Sequence, residues 1–147
     1  MNYRPDNPPT TVAPVDRSIF SLLAAAHALE AKLETALNEV GLSTPKFSVL
    51  SQLVAEDAPL SLSELAARLS CVRSNMTQLV DRLEADGLAR RVDDPADRRG
   101  VKAAITELGR ERQAAGDAQV DKLHADFAAN VGAEDRAAMQ RLLVALK

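Results

Sequence analysis

The sequence predicts a mainly α-helical fold with one small β-hairpin, and three observations carry that expectation. Aromatic residues make up 3% of the 147 and Trp is absent, so the core is built mainly of Leu, Ala and Val, a composition that favours helices. Apolar residues recur at helical spacing through most of the chain. Residues 88–105 break that rhythm, with two β-type runs around a stretch rich in Asp, Pro and Gly. The length suits one domain with a real core. Hydrophobic residues at 46% and charged residues at 27% are ordinary for a soluble protein. No apolar run approaches the roughly 18 residues of a membrane span. The first residues show no apolar leader, and a single Cys fits a reducing compartment; the expectation is cytoplasmic.

Residues 1–15 hold four of the seven prolines, Pro5, Pro8, Pro9 and Pro14, and read as a flexible arm. A long helix over 16–40 starts at Asp16 as N-cap and ends near Val40-Gly41. Its stripe is Ile19, Leu22, Leu23, Ala26, Leu29, Leu33, Leu37 and Val40. The spacing of about 3.5 residues suits a helix packed along its length on other helices. An internal core and a seam with a second chain fit that stripe equally. Thr44 caps the next helix and Pro45 opens it, with Phe47, Leu50, Leu53 and Val54 inward. Glu56-Asp57-Ala58-Pro59 ends it, and Leu60-Ser61-Leu62 suits a short strand pairing with the hairpin.

A short helix follows over 63–69, with Leu62, Leu65, Ala66 and Leu69 inward. Ser61 and Glu64 have the spacing of a capping box. Ser70-Cys71-Val72 is a tight turn. The next helix runs from Arg73 to Ala85 and stops at Asp86-Gly87, with Gly as the left-handed cap. Met76, Leu79, Val80 and Leu83 form its buried face. Strands over 88–92 and 101–105 flank a loop at 93–100. A helix over 107–130 carries Leu108, Val120, Leu123 and Phe127, and a last one over 134–146 carries Met139, Leu142, Leu143 and Leu146.

Two short helices around a tight turn, then a hairpin, are the layout of a winged helix-turn-helix, about 44–106. One helix of that layout enters the DNA major groove and the wing reaches the adjacent minor groove. Net charge is -3, yet residues 61–112 hold 10 of the 18 Lys and Arg, all Arg except Lys102. The same segment holds 9 Asp and Glu, so bulk charge does not carry the assignment; placement does.

The helix from Arg73 presents Ser74, Thr77, Gln78 and Asp81 opposite its buried face, with Arg73 and Asn75 at its start. Short polar side chains donate and accept at base edges and phosphates, and Arg takes guanine bidentately. A merely solvated helix face would carry Glu and Lys; Arg73-Ser74-Asn75-Met76-Thr77-Gln78 has neither. In the wing, Asp97 and Arg99 are two apart and share one side of an extended segment. A carboxylate there fixes an arginine suited to a narrow, electronegative minor groove, with Arg98 beside it.

These segments resemble the multiple-antibiotic-resistance regulator (MarR) family of bacterial transcription factors. The resemblance lies in Leu62-Ser63-Glu64-Leu65-Ala66, in the run from Arg73 to Glu84, and in Gly87-Leu88. It continues through Asp94-Pro95-Ala96-Asp97-Arg98-Arg99, Ile105-Thr106 and Gly109. It implies a homodimer in which helices 16–40, 107–130 and 134–146 interlock between subunits. It also implies two reader helices on a near-palindromic double-stranded site, repression, and release of DNA on binding a small aromatic or phenolic ligand. His27, Phe47 and Met76 are the candidate lining of the ligand cleft. The chain departs from the pattern at Val72, where a capping Ser is common.

Cys71 precedes the reader helix, whose N-terminus lowers a thiol pKa; a small apolar residue filling the turn is the plainer reading. His27 and His124 have no metal-ligand spacing around them, and no nucleophile-base pattern or phosphate loop appears. The expectation is no metal, no cofactor and no enzyme. Two alternatives stand beside DNA binding: a winged-helix protein-interaction module, and an oxidant-sensing regulator through Cys71.

Overall fold

The computed structural model describes residues 18–146, with the backbone alone at Arg98 and Arg99. The expected arm at 1–15 and the Asp16 cap lie outside the described residues. The order of elements follows the sequence reading: α1 (Ser18–Asn38), α2 (Thr44–Glu56), β1 (Leu60–Ser61), α3 (Leu62–Arg68), α4 (Arg73–Ala85), β2 (Ala89–Asp94), β3 (Asp97–Ile105), α5 (Glu107–Asn130) and α6 (Ala133–Ala145).

The core gathers around α2, α3 and α4. Leu37, Leu42, Val49, Leu50, Leu53, Leu65, Met76, Val80 and Leu83 are fully buried there. The antiparallel sheet, in the order β1-β3-β2, closes one side of it. Leu60 pairs with Ala103 and Ala89 with Ile105, and the buried Leu60, Ala89 and Ala103 face the helices.

Thr44 is not the cap of α2. Ser43 holds that position without a side-chain bond, and Thr44 and Pro45 form the first turn. The cap comes from α1 instead: Glu34 Oε2 accepts from the Thr44 N–H at 2.8 Å and from its hydroxyl at 2.6 Å. Local sequence rules cannot show a partner ten residues back on another helix. The Thr44 hydroxyl, and then its N–H, hold the Glu34 carboxyl below the ordinary carboxylate range. A lowered folded-state pKa stabilises above the unfolded value and is lost as pH falls through the folded one. Glu34→Gln is therefore expected to lower the thermal midpoint at neutral pH and to matter progressively less in acid. A melting series of both proteins down to about pH 3 checks this, the ordinary carboxylate value being about 4.3; a gap that is constant with pH contradicts it.

α1 stops at Asn38, and the chain turns through Gly41 at φ 72°, where Leu42 N–H donates to Leu37 O. Arg112 of α5 donates to Val40 O in that turn at 2.9 Å. The wing strands are longer than the sequence reading. Asp94 pairs with Asp97 around Pro95 and Ala96, with a register shift between Asp93 and Asp94. The Asp94 carboxylate accepts from Ala96 N–H at 3.0 Å, so the Asp-Pro chemistry builds a tight turn instead of an eight-residue loop.

Thr106 is the junction between the wing and α5. Its hydroxyl donates to Gly87 O at 2.6 Å and accepts from Gly109 N–H at 3.0 Å. Its own N–H donates to Leu88 O at 3.1 Å. The outer helices are less covered: α1 buries Leu37 alone and α6 buries nothing.

Candidate nucleic-acid interface

α3 and α4 meet at a turn fixed on one side and open on the other. Ser61 Oγ accepts from Glu64 N–H at 3.2 Å and Glu64 Oε2 accepts from Ser61 N–H at 2.8 Å, the capping box expected for α3. α4 has Val72 as its N-cap, extended and without a side-chain bond. No side chain therefore caps its first N–H groups, and the positive end of the helix dipole there suits an anion.

Met76, Val80 and Leu83 anchor α4 in the core. On the other side Arg73, Ser74, Asn75, Thr77 and Gln78 are all exposed. The Thr77 hydroxyl donates to Arg73 O at 3.1 Å. The other four side chains bond to no described residue. This leaves their donors and acceptors available to a partner. A short helix with one apolar seam and a small polar outer face can lie against a groove floor without steric conflict.

In the wing, Arg90 is exposed and its side chain bonds to no described residue. Lys102 lies 3.6 Å from Asp94. Asp97 is exposed at the start of β3. Arg98 and Arg99 follow it on the same strand, and their side chains lie outside the described residues. Arg91 of β2 bonds Asp81 and Glu84 of α4, each at 2.5 Å. The Asp81 hydrogen bond raises the guanidinium's pKa, and the bonds from Arg91 lower that of Glu84. Sequence reasoning placed Asp81 on the outer face but missed this bridge. The available signal was two acids three apart on a helix, followed seven residues after the second by an Arg on a strand.

The candidate ligand residues do not converge. Met76 is fully buried and lines a cavity of about 510 Å³ with Pro45, Leu69, Cys71, Asn75 and Gln78. Exposed His27 borders a separate hollow of about 440 Å³ with Glu30 and Glu34. The Phe47 ring lies over Gly116 of α5, where an added Cβ would stand 2.7 Å from it. Cys71 is half-buried, its Sγ 3.3 Å from Val72 O. No group of three or more His, Cys, Asp and Glu suited to a metal occurs among the described residues.

β1, α3, α4 and the β2–β3 hairpin together define a winged helix-turn-helix. Residues 40–100 match the MarR family. The match falls on the winged helix-turn-helix, less than half of the chain. Among its relatives, the HTH-type transcriptional regulator TtmR of Methylorubrum extorquens (strain PA1) is 37% identical over 91 residues, 62% of this chain and 46% of TtmR. The chain spans about half the length of the curated relatives it matches. The structure of CouR from Rhodococcus jostii RHA1 bound to p-coumaroyl-CoA is 28% identical, with TM-score 0.74 over 92% of this chain and 95% of that one. CouR, a transcriptional repressor, bound to a 23-mer DNA duplex is 29% identical, with TM-score 0.76 over 86% of this chain and 89% of that one. The family and these relatives are transcriptional regulators, not enzymes. No helix among the described residues is long and apolar enough to cross a membrane.

Proposed function

We propose that this chain is a sequence-specific DNA-binding transcription regulator, a cytoplasmic homodimer that represses from a near-palindromic operator. The observation that carries the reading is the outer face of α4: five polar side chains, all exposed, four of them bonded to no described residue. The duplex-bound CouR structure supports it, being a relative of similar length and fold. Arg73, Ser74, Asn75, Thr77 and Gln78 enter the major groove. Arg99, with Arg98 and Asp97, serves the minor groove.

α1, α5 and α6 join two copies and set the spacing of two readers, as palindromic sites require. Release by a small aromatic or phenolic ligand completes the proposal. CouR's complex with p-coumaroyl-CoA supports ligand response, and His27, Phe47 and Met76 stay as candidate lining.

Selection from a random duplex pool tests the reading. A recurring inverted repeat bound at about 0.1 M salt is expected, and binding without sequence preference overturns it. On the selected duplex, Arg99→Ala is expected to weaken affinity about tenfold while the dimer stays folded. Unchanged affinity at matched salt removes the wing from the mechanism.

A further inference from the structure

Asp81 and Glu84 stand nearly one turn apart on α4, and one residue of the wing holds both. Arg91 Nη2 donates to Asp81 Oδ1 at 2.5 Å and Nη1 to Glu84 Oε2 at 2.5 Å. The Arg91 backbone N–H donates to Glu84 Oε1 at 3.1 Å. Three bonds thus tie β2 to the reader helix across a short turn that passes through Gly87 at φ 72°. The Arg91 side chain is 29% exposed, against 56% for Asp81 and 42% for Glu84. Asp81 follows Ser74, Thr77 and Gln78 at helical spacing, so it shares their face. An uncovered carboxylate there meets phosphates with like charge. Arg73 and Arg90 bond to no described residue through their side chains, whereas both terminal nitrogens of Arg91 are engaged by protein.

We propose that Arg91 is a positioning residue for DNA binding, acting through Asp81 and Glu84 and not by touching DNA. It covers the Asp81 charge and holds the wing at one angle to α4, so both surfaces arrive at adjacent grooves already aligned. Without it the hairpin pivots, and its ordering opposes association. The proposal rests on the DNA-binding reading above.

The test is a cycle of four full-length proteins: wild type, Arg91→Gln, Asp81→Asn/Glu84→Gln, and the triple variant. Each is titrated with the selected duplex over a range of salt. Arg91→Gln alone is expected to weaken binding about tenfold, and by less than about twofold where both acids are already neutral. The slope of affinity against salt stays at the wild-type value. A slope shallower by about 0.9 in Arg91→Gln marks a lost phosphate contact and overturns the proposal. Equal losses in both backgrounds also overturn it. So does a lowered melting point with the affinity of the folded protein intact, the mark of a purely structural bridge. Should Arg91→Gln fail to fold, Arg91→Lys replaces it: one ammonium holds one carboxylate, so an intermediate loss at unchanged slope is expected. If the wild type selects no duplex, the DNA-binding reading falls and this proposal with it; if it selects one, the cycle judges Arg91 alone.

Discussion

Leu142→Asp is expected to give a monomer whose affinity for a full operator falls about a hundredfold, the linkage of two half-sites being lost. α6 fully buries none of its residues: Leu142 is 66% exposed and Val144 75%, and Leu146 at its C-cap is 66% exposed. At the start of α1, Ile19 is 69% and Phe20 70% exposed. Burying a Leu or Phe side chain contributes about 1.5–3 kcal/mol, and exposed apolar side chains gathered on helices in this way suit an interaction site. In the proposed homodimer a second copy of the same helices covers it, and a carboxylate buried there has no partner. Light scattering reads the mass and a half-site duplex reads the intact reader. A variant that stays dimeric places the seam elsewhere than α6.

Gly109→Ala is expected to cost about 3 kcal/mol, lowering the thermal midpoint by roughly 10 °C. A Cβ there would stand 2.0 Å from Leu88 O and 2.8 Å from Ile105 Cγ1. Leu88 O cannot recede freely, because it accepts from Thr106 N–H. The first turn of α5 must therefore lift off the turn between α4 and β2. Circular dichroism melting measures the loss; a midpoint within about 2 °C of wild type would mean that this turn yields more readily than its hydrogen bonds imply.

Element order was legible in the sequence because each helix has its own apolar period and each stop its own residue. Gly87 ends α4 in the left-handed conformation, and Ser61 with Glu64 starts α3. The reader face was legible for the same reason: burying Met76, Val80 and Leu83 turns Ser74, Thr77 and Gln78 outward. What escaped were bonds between segments. Glu34 capping α2 and Arg91 bridging to α4 depend on where two elements meet, which periodicity does not encode. The wing was drawn too loose because Asp93, Asp94, Pro95 and Gly100 suit both a loop and a tight turn with a register shift. The three ligand candidates do not share a wall of the fold, and one chain alone does not unite them.

The Thr106 junction gives α5 a mechanical role. With its first turn welded to the wing and to the end of α4, the DNA-facing unit and the head of α5 move together. The helix has 24 residues, a rod of about 36 Å. A pivot of about 5° at its far end carries the welded head through about 3 Å, close to the 3.4 Å rise of one base pair. In the proposed homodimer, an adjustment that small puts a reader out of step with the bases it is aligned to.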